Sequence, residues 1–218
     1  MKSSPVIWVE GIIGAGKSTL AKMLAEALGL EALYEPVDSN PYLECFYGEP
    51  KRWAFPMQMH LMHYRYAMQK TAAFNSALGK GSVLDRGMPG DRVFCRLHTL
   101  EGNISELEWQ TYQMAYEVMA CSLVPPSLLL FLDVEPDVAL ERIKERARGA
   151  EVGIDIKYMK DLRKGYLDLM CEIESGEHVW SRGMEVKRLP WNMDHQPVEP
   201  LIQSLRDKYK LAQRPMST

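Results

Sequence analysis

The sequence contains few cysteines, and their spacing is not that of a metal site. The four are scattered along the chain without a C-x-x-C pair: Cys45, Cys95, Cys121 and Cys171. This distribution argues against a zinc site or a disulfide framework and indicates a reducing compartment.

Long apolar runs, repeats and a strong excess of charge are also missing. No apolar run approaches the roughly 20 residues that span a bilayer, and a strand predicted close to the N-terminus leaves no room for a signal peptide. A net charge of −3 does not favour nucleic acid or an anionic membrane as a partner. We therefore expect a soluble cytoplasmic protein with a single domain spanning residues 1–218.

The sequence GIIGAGKS at 11–18 matches the phosphate-loop pattern G-x-x-x-x-G-K-[ST] at every fixed position. Glycines allow the backbone N–H groups to converge on a phosphate, and the helix that follows adds the positive end of its dipole. We expect Lys17 to reach the outer phosphates and Ser18 to hold Mg²⁺. The sequence therefore predicts a nucleoside triphosphate site formed by Gly11, Gly14, Ala15, Gly16, Lys17, Ser18 and Thr19.

Apolar runs and helical spacing alternate along the chain. The predicted strands are 5–10, 31–35, 82–85, 127–134 and 184–189, and the predicted helices are 18–28, 50–78, 105–123, 136–148, 154–173 and 200–211. Residues 38–46 are expected to form a turn and a short helical piece, and 88–99 to begin with a Pro89-Gly90 turn. This alternation predicts a three-layer α/β/α fold with a five-stranded parallel sheet and right-handed crossovers.

Two predicted strands end in acidic residues. Because the carboxyl ends of strands in an open α/β sheet face the ligand crevice, Glu35 is a candidate general base for a sugar hydroxyl that attacks phosphorus. A solvated glutamate at a strand end would look the same in sequence. Asp85 could hold Mg²⁺ through water, and Arg86 could clamp a phosphate or a substrate hydroxyl.

Basic residues crowd the second half of the helix at 136–148. Arg142, Lys144, Arg146 and Arg148 lie within seven residues. Such a cluster is usually a solvated helix face, but beside a phosphate site it favours a mobile lid over the phosphates. Glycines at 149 and 153 bracket a loop that could let this segment move, so we expect the lid to comprise residues from about 142 to 153.

In this order, these motifs resemble the deoxynucleoside kinase family, most closely its bacterial and viral purine-preferring branch. The resemblance covers residues 6 to about 166. Its most specific parts are 11–19, Glu35-Pro36-Val37, Asn40-Pro41-Tyr42-Leu43, Phe46-Tyr47, the run from Lys51 to Gln58, Asp85-Arg86, and 141–151.

The resemblance implies a P-loop kinase fold and Mg·ATP-dependent phosphorylation of a deoxynucleoside 5′-hydroxyl. Glu35 would be the base, and Arg86 and Lys17 would act on the transferring phosphoryl group, with Mg²⁺ held by Ser18 and Asp85. Further implied contacts are Tyr47 and Glu151 with the 3′-hydroxyl, and Arg142, Arg146 and Arg148 with the ATP phosphates. The resemblance also implies a homodimer through the helices near 53–78 and 104–123.

Base choice would rest on Gln58, Arg65 and Asp91. In the family, the glutamine reads the Watson–Crick edge and the Arg–Asp pair accompanies amino-bearing bases. We therefore expect a purine deoxynucleoside, deoxyadenosine or deoxyguanosine, with deoxycytidine next. A broad-specificity enzyme, a deoxynucleoside monophosphate kinase, a non-catalytic nucleotide sensor and an ATPase module of a larger machine are the alternatives.

The chain departs from the family pattern at three positions. Gly87 stands where the family usually has serine or threonine, and Met57 and Cys95 stand where aromatic residues commonly sandwich the base. Phe94 adjoins the second of these, so a shift of one residue would restore an aromatic side chain. Without that shift, the base pocket would be wider and softer than usual.

Overall fold

The structure is a computed structural model that describes residues 4–35, 40–146, 153–193 and 197–211. Its strands are β1 (Val6–Glu10), β2 (Glu31–Leu33), β3 (Ser82–Asp85), β4 (Leu128–Asp133) and β5 (Glu185–Pro190). Its helices are α1 (Lys17–Leu28), α2 (Leu43–Gly48), α3 (Pro50–Ala77), α4 (Met88–Leu100), α5 (Glu106–Cys121), α6 (Pro136–Arg146), α7 (Ile156–Ser175) and α8 (Glu199–Tyr209).

The five strands form one parallel sheet in the order β2-β3-β1-β4-β5. The central strands β1, β3 and β4 are apolar because helices cover both faces of the sheet. In the register of β1 and β3, Val9 lies opposite Asp85, so the phosphate loop and the Asp85-Arg86 pair leave the sheet at the same edge. The predicted five-stranded parallel sheet is confirmed.

The helices pack through the apolar faces that their spacing predicted. Helix α1 buries Leu20, Leu24 and Leu28. It is capped by the following residue, Gly29, whose φ of 69° is typical of a glycine C-cap. Helix α5 begins with the expected capping box between Ser105 and Glu108. In the described parts of the chain, no helix combines the length and apolar character that a membrane crossing requires.

Two elements differ from the sequence prediction. Strand β2 ends at Leu33, so Glu35 lies two residues beyond the strand. The segment predicted to begin with a turn is a helix from its first residue, α4, with Pro89 in the first turn. Proline is tolerated there because the first N–H groups of a helix have no intrahelical acceptor.

Candidate active site

The phosphate loop is shaped by glycines in the left-handed region. Gly14 and Gly16 have φ values of 75° and 88°, and a Cβ on Gly14 would lie 2.4 Å from the carbonyl oxygen of Ala139 on α6. The loop therefore packs tightly against α6 and leads straight into α1. Lys17 is buried, and its Nζ donates to the carbonyl oxygen of Ile12 at 2.7 Å.

Burial and the nearby charge of Arg86 lower the pKa of Lys17 to about 7, although Asp85, Glu10 and Glu35 act in the opposite direction. A buried ammonium is poorly solvated, so its neutral form gains stability, and an anion beside it would restore the charged form. The site is therefore built to receive negative charge next to Lys17.

Ser18 and Asp85 meet at the mouth of the loop, where the Ser18 hydroxyl donates to Oδ2 of Asp85. A hydroxyl beside a carboxylate is an oxygen donor set that suits Mg²⁺. Within the described residues, no group of three or more His, Cys, Asp or Glu side chains could hold a metal ion. A magnesium ion here would thus need water and nucleotide oxygens to complete its shell, as Mg²⁺ usually does in kinases.

Glu35 lies between two buried arginines. Arg65 Nη2 donates to Glu35 Oε1 at 2.7 Å, and Arg86 Nε lies 3.7 Å from Glu35 Oε2. Burial alone would raise the pKa of Glu35, but the charges of Arg65 and Arg86 hold it below its ordinary value. The carboxylate is therefore ionised at neutral pH, which is the form that can accept a proton.

Arg65 also binds Asp91, so that one guanidinium bridges two carboxylates. Its Nη1 donates to Oδ1 of Asp91, which is fully buried, and the Tyr112 hydroxyl donates to the other oxygen of Asp91 at 2.5 Å. A buried carboxylate with two donors is well satisfied. The predicted Arg65–Asp91 pair is present, and Arg65 connects it to Glu35.

Most of the predicted site residues line one cleft of about 170 Å³. Its lining includes Gly14, Lys17, Ser18, Glu35, Tyr47, Gln58, Arg65, Asp85, Arg86 and Arg146. Arg142 instead donates to the carbonyl oxygens of Trp191 and Met193, each at 3.1 Å. Arg148, Glu151 and most of the predicted loop of the lid lie outside the described residues.

The aromatic side chain expected near the base is supplied by Phe94 rather than by position 95. Phe94 lines the cleft, with the Arg86 guanidinium 4.7 Å from its ring centroid, whereas Cys95 is fully buried in the core. Met57 lines the cleft without an aromatic ring. Phe94 is therefore an aromatic side chain that the cleft offers next to position 95.

The presence of glycine at position 87, where the family usually has serine or threonine, has a steric explanation. A Cβ at this position would lie 2.6 Å from the indole ring of Trp8, which is fully buried. Trp8 thus occupies the space that a serine or threonine side chain would need.

Sequence reasoning missed several residues around the cleft. Tyr158 and His98 line it, and Glu10 and Tyr166 are buried next to Arg86. The tyrosines lie on a helix that was correctly predicted, but their contacts depend on how α7 packs on α4. Glu10 directly precedes the phosphate loop, and a buried acid within an apolar strand is a signal that could have identified it.

A family model described as deoxynucleoside kinase matches residues 7–192. The chain belongs to the deoxynucleoside kinase family. It is 32% identical over 204 residues to a deoxyadenosine kinase of Dictyostelium discoideum, covering 94% of this chain and 79% of that protein. It is 35% identical to the deoxyadenosine/deoxycytidine kinase of Bacillus subtilis (strain 168), covering 74% of each.

Solved structures agree with this family assignment. A deoxyadenosine kinase from M. mycoides with products dCMP and a flexible dCDP bound superposes with a TM-score of 0.77 and 26% identity, covering 94% of this chain and 98% of that chain. The same kinase with bound dCTP gives a TM-score of 0.76 and 25% identity, over 94% of this chain and 98% of that one. The predicted family and P-loop kinase fold are therefore confirmed, and this deoxynucleoside kinase is an enzyme that phosphorylates deoxynucleosides.

Proposed function

We propose that this kinase transfers the γ-phosphoryl group of Mg·ATP to the 5′-hydroxyl of a purine deoxynucleoside, deoxyadenosine or deoxyguanosine. The observation that carries the proposal is the position of Glu35. It is an ionised carboxylate between Arg65 and Arg86, in the same cleft as Lys17 of the phosphate loop. A base beside a triphosphate site is what hydroxyl phosphorylation requires.

Glu35 accepts the proton of the 5′-hydroxyl as the hydroxyl oxygen attacks the γ-phosphorus, and the bond from that phosphorus to the bridging oxygen breaks to release ADP. Arg86 lies between the proposed base and the phosphate loop. Its Nε is 3.7 Å from Glu35 Oε2, and its Nη1 donates to the carbonyl oxygen of Gly11 at 3.2 Å. The guanidinium is thus placed to bind the hydroxyl and to balance the charge of the transferring group.

Lys17 and the arginines of the lid supply the remaining positive charge. Lys17 binds the outer phosphates, and Arg146 lines the cleft. Arg142 and Arg148 are proposed to join Arg146 over the nucleotide, for which Arg142 would exchange its bonds to the Trp191 and Met193 carbonyl oxygens for phosphate. Ser18 and Asp85 would hold Mg²⁺, which would neutralise charge on the phosphates.

An unpaired buried acceptor supports a base that carries an amino group. Gln58 is almost fully buried, and among the described residues its Oε1 has no hydrogen-bond partner. The amino group of adenine would supply the missing donor. Arg65 and Asp91 then favour purines over thymidine, because leaving a buried ion pair mismatched is costly. Curated relatives are named deoxyadenosine kinase, deoxyguanosine kinase and deoxyadenosine/deoxycytidine kinase, so bases that carry an amino group recur among their names, although a thymidine kinase is also related.

The sugar completes the proposed substrate contacts. Tyr47 lines the cleft, and it is proposed to bind the 3′-hydroxyl together with Glu151. In this proposal, residues 1–218 of each subunit form a single kinase domain. The use of ATP agrees with a cytoplasmic location.

The same proposal includes a homodimer through α3 and α5. Leu107, Met114 and Val118 are each at least 70% exposed and share one face of α5 by their spacing. Phe74 on α3 is 66% exposed. Light scattering should give twice the monomer mass, and Met114→Glu should shift it to the monomer. A monomeric wild type would contradict this part of the proposal.

A phosphate-transfer assay tests the reaction. The purified kinase, with Mg·ATP, is offered the four deoxynucleosides and, in parallel, their monophosphates. Turnover of deoxyadenosine or deoxyguanosine, abolished by EDTA, supports the proposal. Preferred turnover of thymidine or deoxycytidine would overturn the purine assignment, and turnover of a monophosphate alone would overturn Glu35 as the base. Tight nucleotide binding without any transfer would favour the sensor.

A further inference from the structure

Arg86 has a backbone conformation that is unusual for a residue with a side chain. Its φ is 75°, in the left-handed region, which is disfavoured for a residue other than glycine. The conformation persists because neighbouring groups fix it. The Arg86 N–H donates to the Val9 carbonyl oxygen at 3.0 Å, and the next N–H, that of Gly87, donates to Glu10 Oε1 at 2.7 Å.

The side chain of Arg86 is held by the same carboxylate through a tyrosine. Arg86 Nη1 donates to the hydroxyl oxygen of Tyr166, and that hydroxyl donates to Glu10 Oε2 at 3.0 Å. Glu10 and Tyr166 are both fully buried. Glu10 therefore binds the turn that carries Arg86 with one oxygen and, through Tyr166, the guanidinium with the other.

Helix α4 leaves just enough space for this network. A Cβ on Gly90 would lie 2.5 Å from Glu10 Oε2 and 2.6 Å from the Tyr166 hydroxyl. On its other side, the Tyr166 ring stacks on Phe131 with the centroids 5.9 Å apart. The hydroxyl and the carboxylate therefore have little freedom to move, which makes them suitable for fixing a third group.

The network also accounts for the spacing between Arg86 and Glu35. A buried arginine beside a carboxylate would tend to form a close bidentate pair. Here the separation is 3.7 Å, and Nη1 is engaged by Tyr166 and by the Gly11 carbonyl. As a result, the guanidinium does not close on Glu35 Oε2 and stays beside the phosphate loop.

We propose that Glu10 and Tyr166 are positioning residues for phosphoryl transfer, which hold Arg86 in its productive place between Glu35 and the phosphate loop. The inference rests on the proposed function, since it assigns Arg86 a role in that reaction. Glu10 and Tyr166 act through Arg86 and not on the substrate. Their loss should therefore lower kcat while leaving deoxynucleoside binding nearly unchanged.

The first test compares two substitutions that each remove one buried hydroxyl. Tyr166→Phe keeps the stacked ring and removes the bond to Arg86. The matched control is Tyr116→Phe, which removes a buried hydroxyl that contacts His178 at 3.2 Å, away from the cleft. We expect Tyr166→Phe to lower kcat about 10- to 100-fold, with the KM for the deoxynucleoside within about 3-fold of the wild type. Tyr116→Phe should change kcat less than about 2-fold.

A double-mutant cycle with Arg86→Lys shows whether Tyr166 acts through Arg86. Lysine cannot maintain the two-sided contact of the guanidinium. In the Arg86→Lys background, Tyr166→Phe should cost less than about 3-fold, since the group it positions is already gone. The full 10- to 100-fold loss in that background would overturn the proposal.

The controls separate this inference from the proposed function. Absence of transfer by the wild type would overturn the proposed reaction. Transfer by the wild type together with equal effects of Tyr166→Phe and Tyr116→Phe would overturn only the positioning role. If Tyr166→Phe does not fold, as judged by thermal unfolding, Glu10→Gln provides the same test, because it keeps the volume and removes an acceptor of the network.

Discussion

Arg65 Nη2 lies 2.7 Å from Glu35 Oε1, while Nη1 of the same guanidinium binds Asp91. One buried arginine thus joins the proposed general base to the carboxylate that is proposed to select the nucleobase. Substitution of Arg65 would disturb both functions at once, because its charge also lowers the pKa of Glu35. Experiments that separate catalysis from base selection must therefore alter Glu35 or Asp91 instead.

Replacing Glu35 by glutamine tests the base. Glu35→Gln keeps the size of the side chain and removes its ability to accept a proton, so kcat should fall by roughly 10²- to 10⁴-fold. The Kd of the deoxynucleoside, measured by calorimetry, should change little. Glu26→Gln, at an exposed carboxylate on α1, is the control and should leave kcat unaltered. Unchanged turnover in Glu35→Gln would remove Glu35 from the mechanism.

Replacing Asp91 by asparagine tests base selection. Asp91→Asn leaves Arg65 bound to Glu35 but removes the charge that orients it, so kcat/KM for deoxyadenosine should fall on the order of 10²-fold. The value for thymidine should fall less than about 5-fold. Tyr112→Phe removes the other donor to Asp91 and should change the ratio of the two substrates much less. Equal losses for both would show that the Arg65–Asp91 pair is structural.

The sequence predicted those parts of the site that depend on local spacing. The phosphate loop and Asp85-Arg86 were identified because a motif and a strand end determine where these side chains go. The Arg65–Asp91 pair was identified only through the resemblance to the family. Glu10 and Tyr166 were not, because they are 156 residues apart and meet only through the packing of α7. The start of helix α4 was predicted as a turn because of Pro89 and Gly90. In the structure, a glycine is needed at position 90 because a side chain there would collide with Glu10 and Tyr166.

Gly87 should resist substitution even by the serine that its family uses. Gly87→Ser places a Cβ 2.6 Å from the Trp8 ring, so the free energy of unfolding should fall by about 1–3 kcal/mol in urea denaturation. Gly48→Ser is the control, since among the described residues no atom lies within 4 Å of a Cβ there, and it should change stability by less than about 0.5 kcal/mol. Equal stability of the two variants would mean that Trp8 moves aside freely.

Nucleotide binding should take up a proton at Lys17. Its pKa of about 7 in the free enzyme means that a fraction of the side chain is neutral at neutral pH. Triphosphate raises this pKa, so binding above about pH 7 draws a proton from the buffer. Calorimetry of ATP binding in buffers of different ionisation enthalpy should detect the uptake, which should be absent near about pH 5.5, where Lys17 is already charged. Uptake that does not diminish with pH would point to another group.

His178 should make the protein sensitive to acid. Burial lowers its pKa from 6.5 to about 4, and its Nδ1 accepts from the Trp180 N–H at 3.3 Å, an interaction that the charged form cannot make. In the unfolded chain, His178 binds a proton below about pH 6.5, whereas in the folded protein it stays neutral down to about pH 4. Its contribution to stability is therefore complete above pH 6.5 and is lost as the pH falls from 6.5 to 4, by up to about 3 kcal/mol.

Substitution of His178 separates this histidine from the other acid-sensitive groups. Urea denaturation between about pH 7 and pH 4 should show a shallower loss of stability in His178→Gln than in the wild type, although the variant starts from a lower stability because it loses buried contacts. His63→Gln, at an exposed position on α3, should leave the slope of the wild type unchanged. If His178→Gln and the wild type lose stability in parallel, the acid sensitivity resides in another group, such as Glu35, whose pKa is held below its ordinary value in the folded protein.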